Sequence, residues 1–188
     1  MTVYIALLRG INVGGKNKIK MADLREALEG LGLSKVQTYI QSGNILFESN
    51  EDEATLRVRI EQEVEKSFQI TLSVIIRTSE QLNAIAANCP FTEEQLATAA
   101  ATCEGESLYV TMLQEKPDSD KLDKLQQYQT ADEQYRLADR DVYLLFGRSI
   151  RNAKLAVQVE KLGVPTTTRN WNTINKLVQL AKERVEQE

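Results

Sequence analysis

The chain has 188 residues, enough for one large domain or for two small ones sharing a core. Its 42% hydrophobic and 27% charged content is that of an ordinary globular protein, and no stretch approaches the roughly 18 apolar residues of a membrane span. There is no histidine, which excludes Ser-His-Asp and Cys-His catalysis and histidine-ligated zinc and leaves acid–base chemistry to Asp, Glu, Lys, Tyr or Cys. Cys89 and Cys103 are too few for a disulfide framework and read as incidental thiols. The apolar run 3–8 ends at Arg9, too short for a signal-peptide core, so the expectation is a cytoplasmic protein without a membrane partner. The net charge of −4 is unevenly spread. Residues 9–20 carry +4 and residues 147–171 carry +4, which leaves −12 on the remainder. Two basic islands on an acidic body suit a local anion site, although separate solvated surfaces would carry the same charges.

Taken in chain order, residues 3–8 are apolar on both alternating faces, the pattern of a central strand buried on both sides. Residues 10–15 form a glycine-rich loop. Leu24, Ala27, Leu28 and Leu31 predict a helix over 21–31, closed by Gly30 and Gly32. Strands at 36–40 and 45–47 flank a two-residue hairpin signal, Ser42-Gly43. Leu56, Ile60 and Val64 mark a helix over 54–68, and a strand follows at 72–76. This order, βαββαβ, is the ferredoxin-like plan. Residues 79–88 and a stretch capped by Thr92 and running to Cys103 read as short helices. The plan then recurs: a strand at 108–113, a helix capped by Ser119, strands at 135–138 and 142–146 around Asp139-Arg140-Asp141, and a helix over 155–162. A last helix, capped by Asn170 or Asn172, carries Ile174, Leu177, Val178, Ala181 and Val185. The expected fold class is α+β with two ferredoxin-like modules, βαββαβ followed by a βαββα-α half. The boundaries are 1–78 for the first module, 79–106 for a helical connector and 107–188 for the second.

Three polar stretches stand out. Arg9, Gly10, Asn12, Gly14, Gly15, Lys16, Lys18 and Lys20 lie between a buried strand and a helix start, where α/β layers often hold ligands. The glycines permit close approach of a ligand, and lysines beside free amides suit phosphate or carboxylate. The run is neither a Walker A loop nor GxGxxG, and the glycines could serve only to turn a connector. Thr166-Thr167-Thr168-Arg169-Asn170-Trp171-Asn172-Thr173 combines a fork for oxyanions with a ring for stacking, or else forms a capped helix start with Trp171 buried. Tyr39-Ile40-Gln41-Ser42-Gly43-Asn44 gathers amides and a hydroxyl at a hairpin tip, which turn chemistry alone would explain. The pair Asp139 and Asp141 reads as a charged hairpin turn.

Residues 6–16, then Met21-Ala22-Asp23-Leu24-Arg25, Tyr39-Ile40-Gln41-Ser42-Gly43-Asn44 and Arg169-Asn170-Trp171-Asn172-Thr173, together resemble the signature of the bacterial "domain of unknown function 1697" family. The resemblance implies a ferredoxin-like α+β architecture with a C-terminal half and no established activity. Members tend to carry Ser-Lys-Leu late in the chain, where this sequence reads Asn152-Ala153-Lys154-Leu155, with Ala153 in the place of the serine.

The residues favour a binding module over an enzyme: no nucleophile is evident, and no metal site or cofactor is expected. The expected ligand is anionic, a phosphorylated small molecule, a nucleotide or a nucleic-acid backbone. Its site would comprise Arg9, Asn12, Gly14, Gly15, Lys16, Lys18, Gln41, Ser42, Asn44, Arg169, Asn170, Trp171 and Asn172, which requires the three stretches to meet. The alternatives are a histidine-independent enzyme on a phosphate or acyl group, with Tyr39 or Asp23 moving a proton, and a structural protein whose polar loops join the modules. The structural reading requires Arg169 and Asn170 to be bonded internally.

Overall fold

The computed structural model describes residues 1–186. Strand β1, Thr2–Leu8, is central to the first sheet, and from Tyr4 to Leu8 it is buried on both faces, as its uninterrupted apolar run requires. Helix α1, Met21–Gly30, strands β2, Ser34–Tyr39, and β3, Asn44–Ser49, helix α2, Glu53–Phe68, and strand β4, Val74–Thr78, follow. The antiparallel strand order is β2-β3-β1-β4, the ferredoxin-like arrangement. Tyr4, Ala6, Leu8, Ile45, Phe47, Val74 and Ile76 pack with Leu24 and Leu28 of α1 and with Leu56, Ile60 and Val64 of α2. Each aliphatic side chain fully withdrawn from water here contributes about 1.5–3 kcal/mol. Helix α2 starts where Asp52 accepts from the Thr55 amide at 3.0 Å and stops where Gln69 turns left-handed at φ 56°.

Helices α3, Ser79–Ala87, and α4, Glu93–Thr102, come next, and Thr92 with Gln95 forms a reciprocal capping box at the start of α4. The plan then recurs as β5, Leu108–Leu113, α5, Ser119–Leu125, β6, Glu133–Ala138, β7, Asp141–Phe146, α6, Lys154–Val159, and β8, Thr166–Asn170, before the last helix α7, Trp171–Glu186. The second sheet has the order β6-β7-β5-β8, the same path as the first. Its core joins Leu113, Val142, Leu144 and Phe146 to Leu125, Leu155, Val159 and Leu162. Both halves are therefore βαββαβ. The second carries a strand, β8, where the sequence suggested only a polar approach to the last helix. The β-branched run Thr166-Thr167-Thr168 pairs with Leu113, Met112 and Thr111, and the Thr111 and Thr168 hydroxyls bond across the ladder at 2.7 Å.

The chain divides into two compact units: Met1–Ala84 together with the stretch that begins at Lys176, and Ile85–Asn175. No helix among the described residues is long and apolar enough to cross a membrane.

Candidate functional site

Residues 9–18 fold back on themselves between β1 and α1. Positive φ recurs at Gly10, Asn12, Gly14, Gly15 and Asn17, so the loop needs the residue types that tolerate it. Asn12 fixes the loop from its centre. Its side-chain amide donates to Ile19 O at 3.0 Å and Gln41 O at 2.8 Å, and its Oδ1 accepts from Ile19 N at 2.9 Å. Asn17 donates to Gly10 O at 3.0 Å. The loop thus joins the β2–β3 hairpin tip. That tip spans four residues, 40–43, because Tyr39 pairs directly with Asn44, whereas the sequence suggested two. Asn44 is fully buried and donates to Tyr39 O and to Ser42 Oγ, closing the turn. Gly43 leaves no room for a side chain: at φ 79°, a Cβ would stand 2.7 Å from Ile11 Cδ1 and 2.9 Å from Leu8 Cβ.

Loop, hairpin and helix start enclose a cavity of about 670 Å³, within the usual range for small-molecule sites. Asn12, Gly15, Lys18 and Gln41 line it from the loops, and Lys20, Met21 and Asp23 from the start of α1. Ile19 and Phe68 supply apolar wall. Lys20 occupies the N-cap of α1 and makes no side-chain capping bond, so the first amides of the helix lack a partner from the cap. The lining holds two ammonium groups and one carboxylate, Asp23, and the helix end adds a partial positive charge. Such a surface suits an anion with an apolar portion. Among the described residues no cluster of Cys, Asp or Glu could hold a metal ion.

Of the expected site residues, Asn12, Gly15, Lys18 and Gln41 line this cavity. Gly14 and Lys16 are exposed in the same loop, and Arg9 is half-buried at its start. Ser42 and Asn44 are engaged in the hairpin turn. Arg169–Asn172 lies in the other unit. Sequence reasoning did not include Lys20, Met21, Asp23 or Phe68 among the site residues. Phe68, the only aromatic residue of α2, ends that helix, and no local signal in the sequence ties it to the loop.

The family model described as "Protein of unknown function (DUF1697)" matches residues 1–143. The chain belongs to the DUF1697 family. The conserved bacterial protein SP0830 from Streptococcus pneumoniae is similar in structure, with a TM-score of 0.73 and 31% identity over 96% of this chain and 98% of that one. No curated protein sequence matches. The segment of this DUF1697 protein that matches the family model takes in the whole cavity lining and ends before Arg169.

In the C-terminal unit of the DUF1697 chain, Arg169 is nine-tenths buried on β8. Its Nη1 donates to Thr167 Oγ1 at 2.7 Å and to Thr168 O at 3.0 Å. Burial pulls its pKa down to about 10. Asn170 Oδ1 accepts from Thr173 N at 2.8 Å and so caps α7, one of the two caps the sequence offered. Trp171 lies beside Tyr143 with ring centroids 6.3 Å apart, and Asn172 donates to Glu106. The Cys103 Sγ lies 3.3 Å from Glu106 O and 3.2 Å from Arg148 O, and its one S–H donates to either. Burial, with Glu104 and Glu106 nearby, pushes its pKa up, away from reactivity. At the second hairpin, Asp139 pairs with Lys116 at 2.9 Å, which holds its carboxyl below the usual range, and Asp141 is buried beside it. Ala153 stands at the N-cap of α6 without a capping bond, and Glu133 Oε2 accepts from Leu155 N at 2.8 Å instead.

Proposed function

We propose that this DUF1697 protein binds a small phosphorylated or otherwise anionic ligand in the N-terminal cavity. The observation that carries this reading is the meeting of the glycine-rich loop, the hairpin tip and the uncapped start of α1 around one 670 Å³ space, with Lys18 and Lys20 in its lining. The anionic group would lie against the first amides of α1 and the two ammonium groups, and an apolar portion against Met21 and Phe68. Asn12, Gly15 and Gln41 shape the opposite wall. A nucleotide fits this division of chemistry better than a bare nucleic-acid backbone, which has no use for an apolar wall.

The internal bonds of Arg169 and the capping role of Asn170 favour a structural role for Arg169–Asn172. The binding reading accordingly rests on the N-terminal loops alone.

A thermal-shift screen against nucleotides, phosphorylated metabolites and short oligonucleotides tests it, with the double variant Lys18→Gln/Lys20→Gln alongside. A ligand at 100 times its dissociation constant adds roughly 2.7 kcal/mol to folding stability. The expected result is a raised midpoint that the double variant loses. The absence of a shift with every compound would overturn the reading.

A further inference from the structure

Helices α5 and α6 pack together, and with the 3-10 turn Gln126–Tyr128 they enclose a concavity of about 180 Å³ in the C-terminal unit. Lys121, Lys124 and Lys161 line it with Tyr128 and Gln158, over the buried Leu125 and Leu162. None of the three ammonium groups makes an ion pair among the described residues. Of the nearby carboxylates, Glu133 accepts from the Leu155 amide and Asp123 raises the pKa of the Tyr135 hydroxyl after burial, while Asp118, Asp120 and Glu160 form no ion pair with the three lysines. Lys121 is seated with particular closeness. A Cβ placed on Gly163, which has φ +82°, would collide with its Nζ. The ammonium therefore rests over a bare glycine just past α6, a space any side chain would fill.

Two helix C-termini account for part of this charge, since each carries at most about half a negative charge. The lining itself holds no carboxylate, since Asp118, Asp120, Asp123 and Glu160 of the same elements lie outside it, so it carries a local excess of positive charge. A phosphoryl group carries about −1.5 to −2 at neutral pH and balances that excess. The Tyr128 hydroxyl and the Gln158 amide add neutral donors. The volume is about a quarter of the N-terminal cavity, room for one phosphoryl group and its waters and not for a nucleoside.

We propose that the concavity between α5 and α6 binds a single phosphoryl group, as inorganic phosphate or as a phosphomonoester, through Lys121, Lys124 and Lys161. This site is independent of the N-terminal cavity. The test is an amide NMR titration of the full chain with inorganic phosphate and, separately, with glycerol phosphate, at ionic strength held constant with chloride. Amides of residues 121–128 and 158–163 should shift along a saturating curve. Lys124→Gln and Lys161→Gln should each weaken the fitted constant about tenfold, and Gly163→Ala, by displacing Lys121, should do the same. The tighter of the two probes identifies the source of the phosphoryl group. Lys18→Gln/Lys20→Gln should leave these shifts unchanged, so failure of the N-terminal reading would not touch this one. The proposal is overturned if neither probe moves these amides, if the lysine variants titrate like the parent, or if only an oligonucleotide moves them.

Discussion

Replacing Asn12 by alanine should loosen the N-terminal loop and lower the stability of the whole chain. The side chain makes three hydrogen bonds, to Ile19 O, Ile19 N and Gln41 O. At about 0.5–1.5 kcal/mol net for each, and with the Gln41 bond exposed, the loss is roughly 2–3 kcal/mol. For a chain of this length that lowers the melting midpoint by roughly 4–12 °C. Asn12 also sits at φ 53°, where alanine is strained and glycine is not, so Asn12→Gly should recover about 1 kcal/mol of the loss. Asn12→Asp separates the bonds from the backbone effect. It keeps the acceptor for Ile19 N but sets a carboxylate oxygen against two carbonyls, at sites now 3.0 and 2.8 Å from the amide nitrogen. At neutral pH it should be less stable than the alanine variant. It should regain stability as the pH falls through the carboxylate range, because the protonated acid can again donate. Thermal melts of the three variants across pH decide this. An alanine variant that melts within about 1 °C of the parent, or an aspartate variant no worse than alanine, would refute the assignment of loop rigidity to these bonds.

Arg169→Ala should destabilise the chain by about 2–4 kcal/mol in urea unfolding, because Thr167 and Thr168 O lose a buried donor, while any ligand-induced shift at the N-terminal cavity persists. Tyr143 is almost wholly buried, donates to Ile85 O at 2.8 Å, and has its pKa raised to about 12 by burial and then by Asp141 and Cys89. A raised folded pKa contributes stability that is complete below the unfolded value near 10 and is lost as pH climbs from there towards 12. Tyr143→Phe should therefore be less stable at neutral pH but show a shallower alkaline decline over that window in thermal melts. Glu133→Ala should lower the melting midpoint by roughly 2–4 °C, since the carboxylate that accepts from the Leu155 amide stands in for a cap at the start of α6, a role that contributes about 1 kcal/mol.

The sequence disclosed most of the architecture through burial patterns. The double-faced apolar run of β1, the i, i+4 spacing of Leu56, Ile60 and Val64, and the Asn170 cap all appear where the letters put them. Strand β8 escaped notice because Arg169 and Asn170 gave the threonine run the look of a ligand loop. The hydroxyls instead satisfy one another across the ladder, and Arg169 folds onto its own strand. Four of the nine residues that line the candidate cavity, Asn12, Gly15, Lys18 and Gln41, were legible, the first two because asparagine and glycine at left-handed positions are local signals. Phe68 was not, since its nearness to the loop exists only after α2 has packed. Ala153, where the resemblance led one to expect serine, stands at the N-cap of α6, and Glu133 from β6 supplies the bond to the Leu155 amide.

At the rim of the first sheet, the pairing of β2 with β3 slips between Ser34 and Gln37, and Lys35 adopts φ 48° with its ammonium 3.1 Å from Glu48 Oε1, an ion pair without aligned hydrogen-bond geometry. A flat outer strand is a template onto which another chain can add, the first step of amyloid-like growth. A bulged strand bearing a lysine offers no such straight ladder. This irregularity guards a highly apolar β1–β3 core against sheet extension while the chain is still folding, so smoothing it would trade a tidier hairpin for a propensity to aggregate.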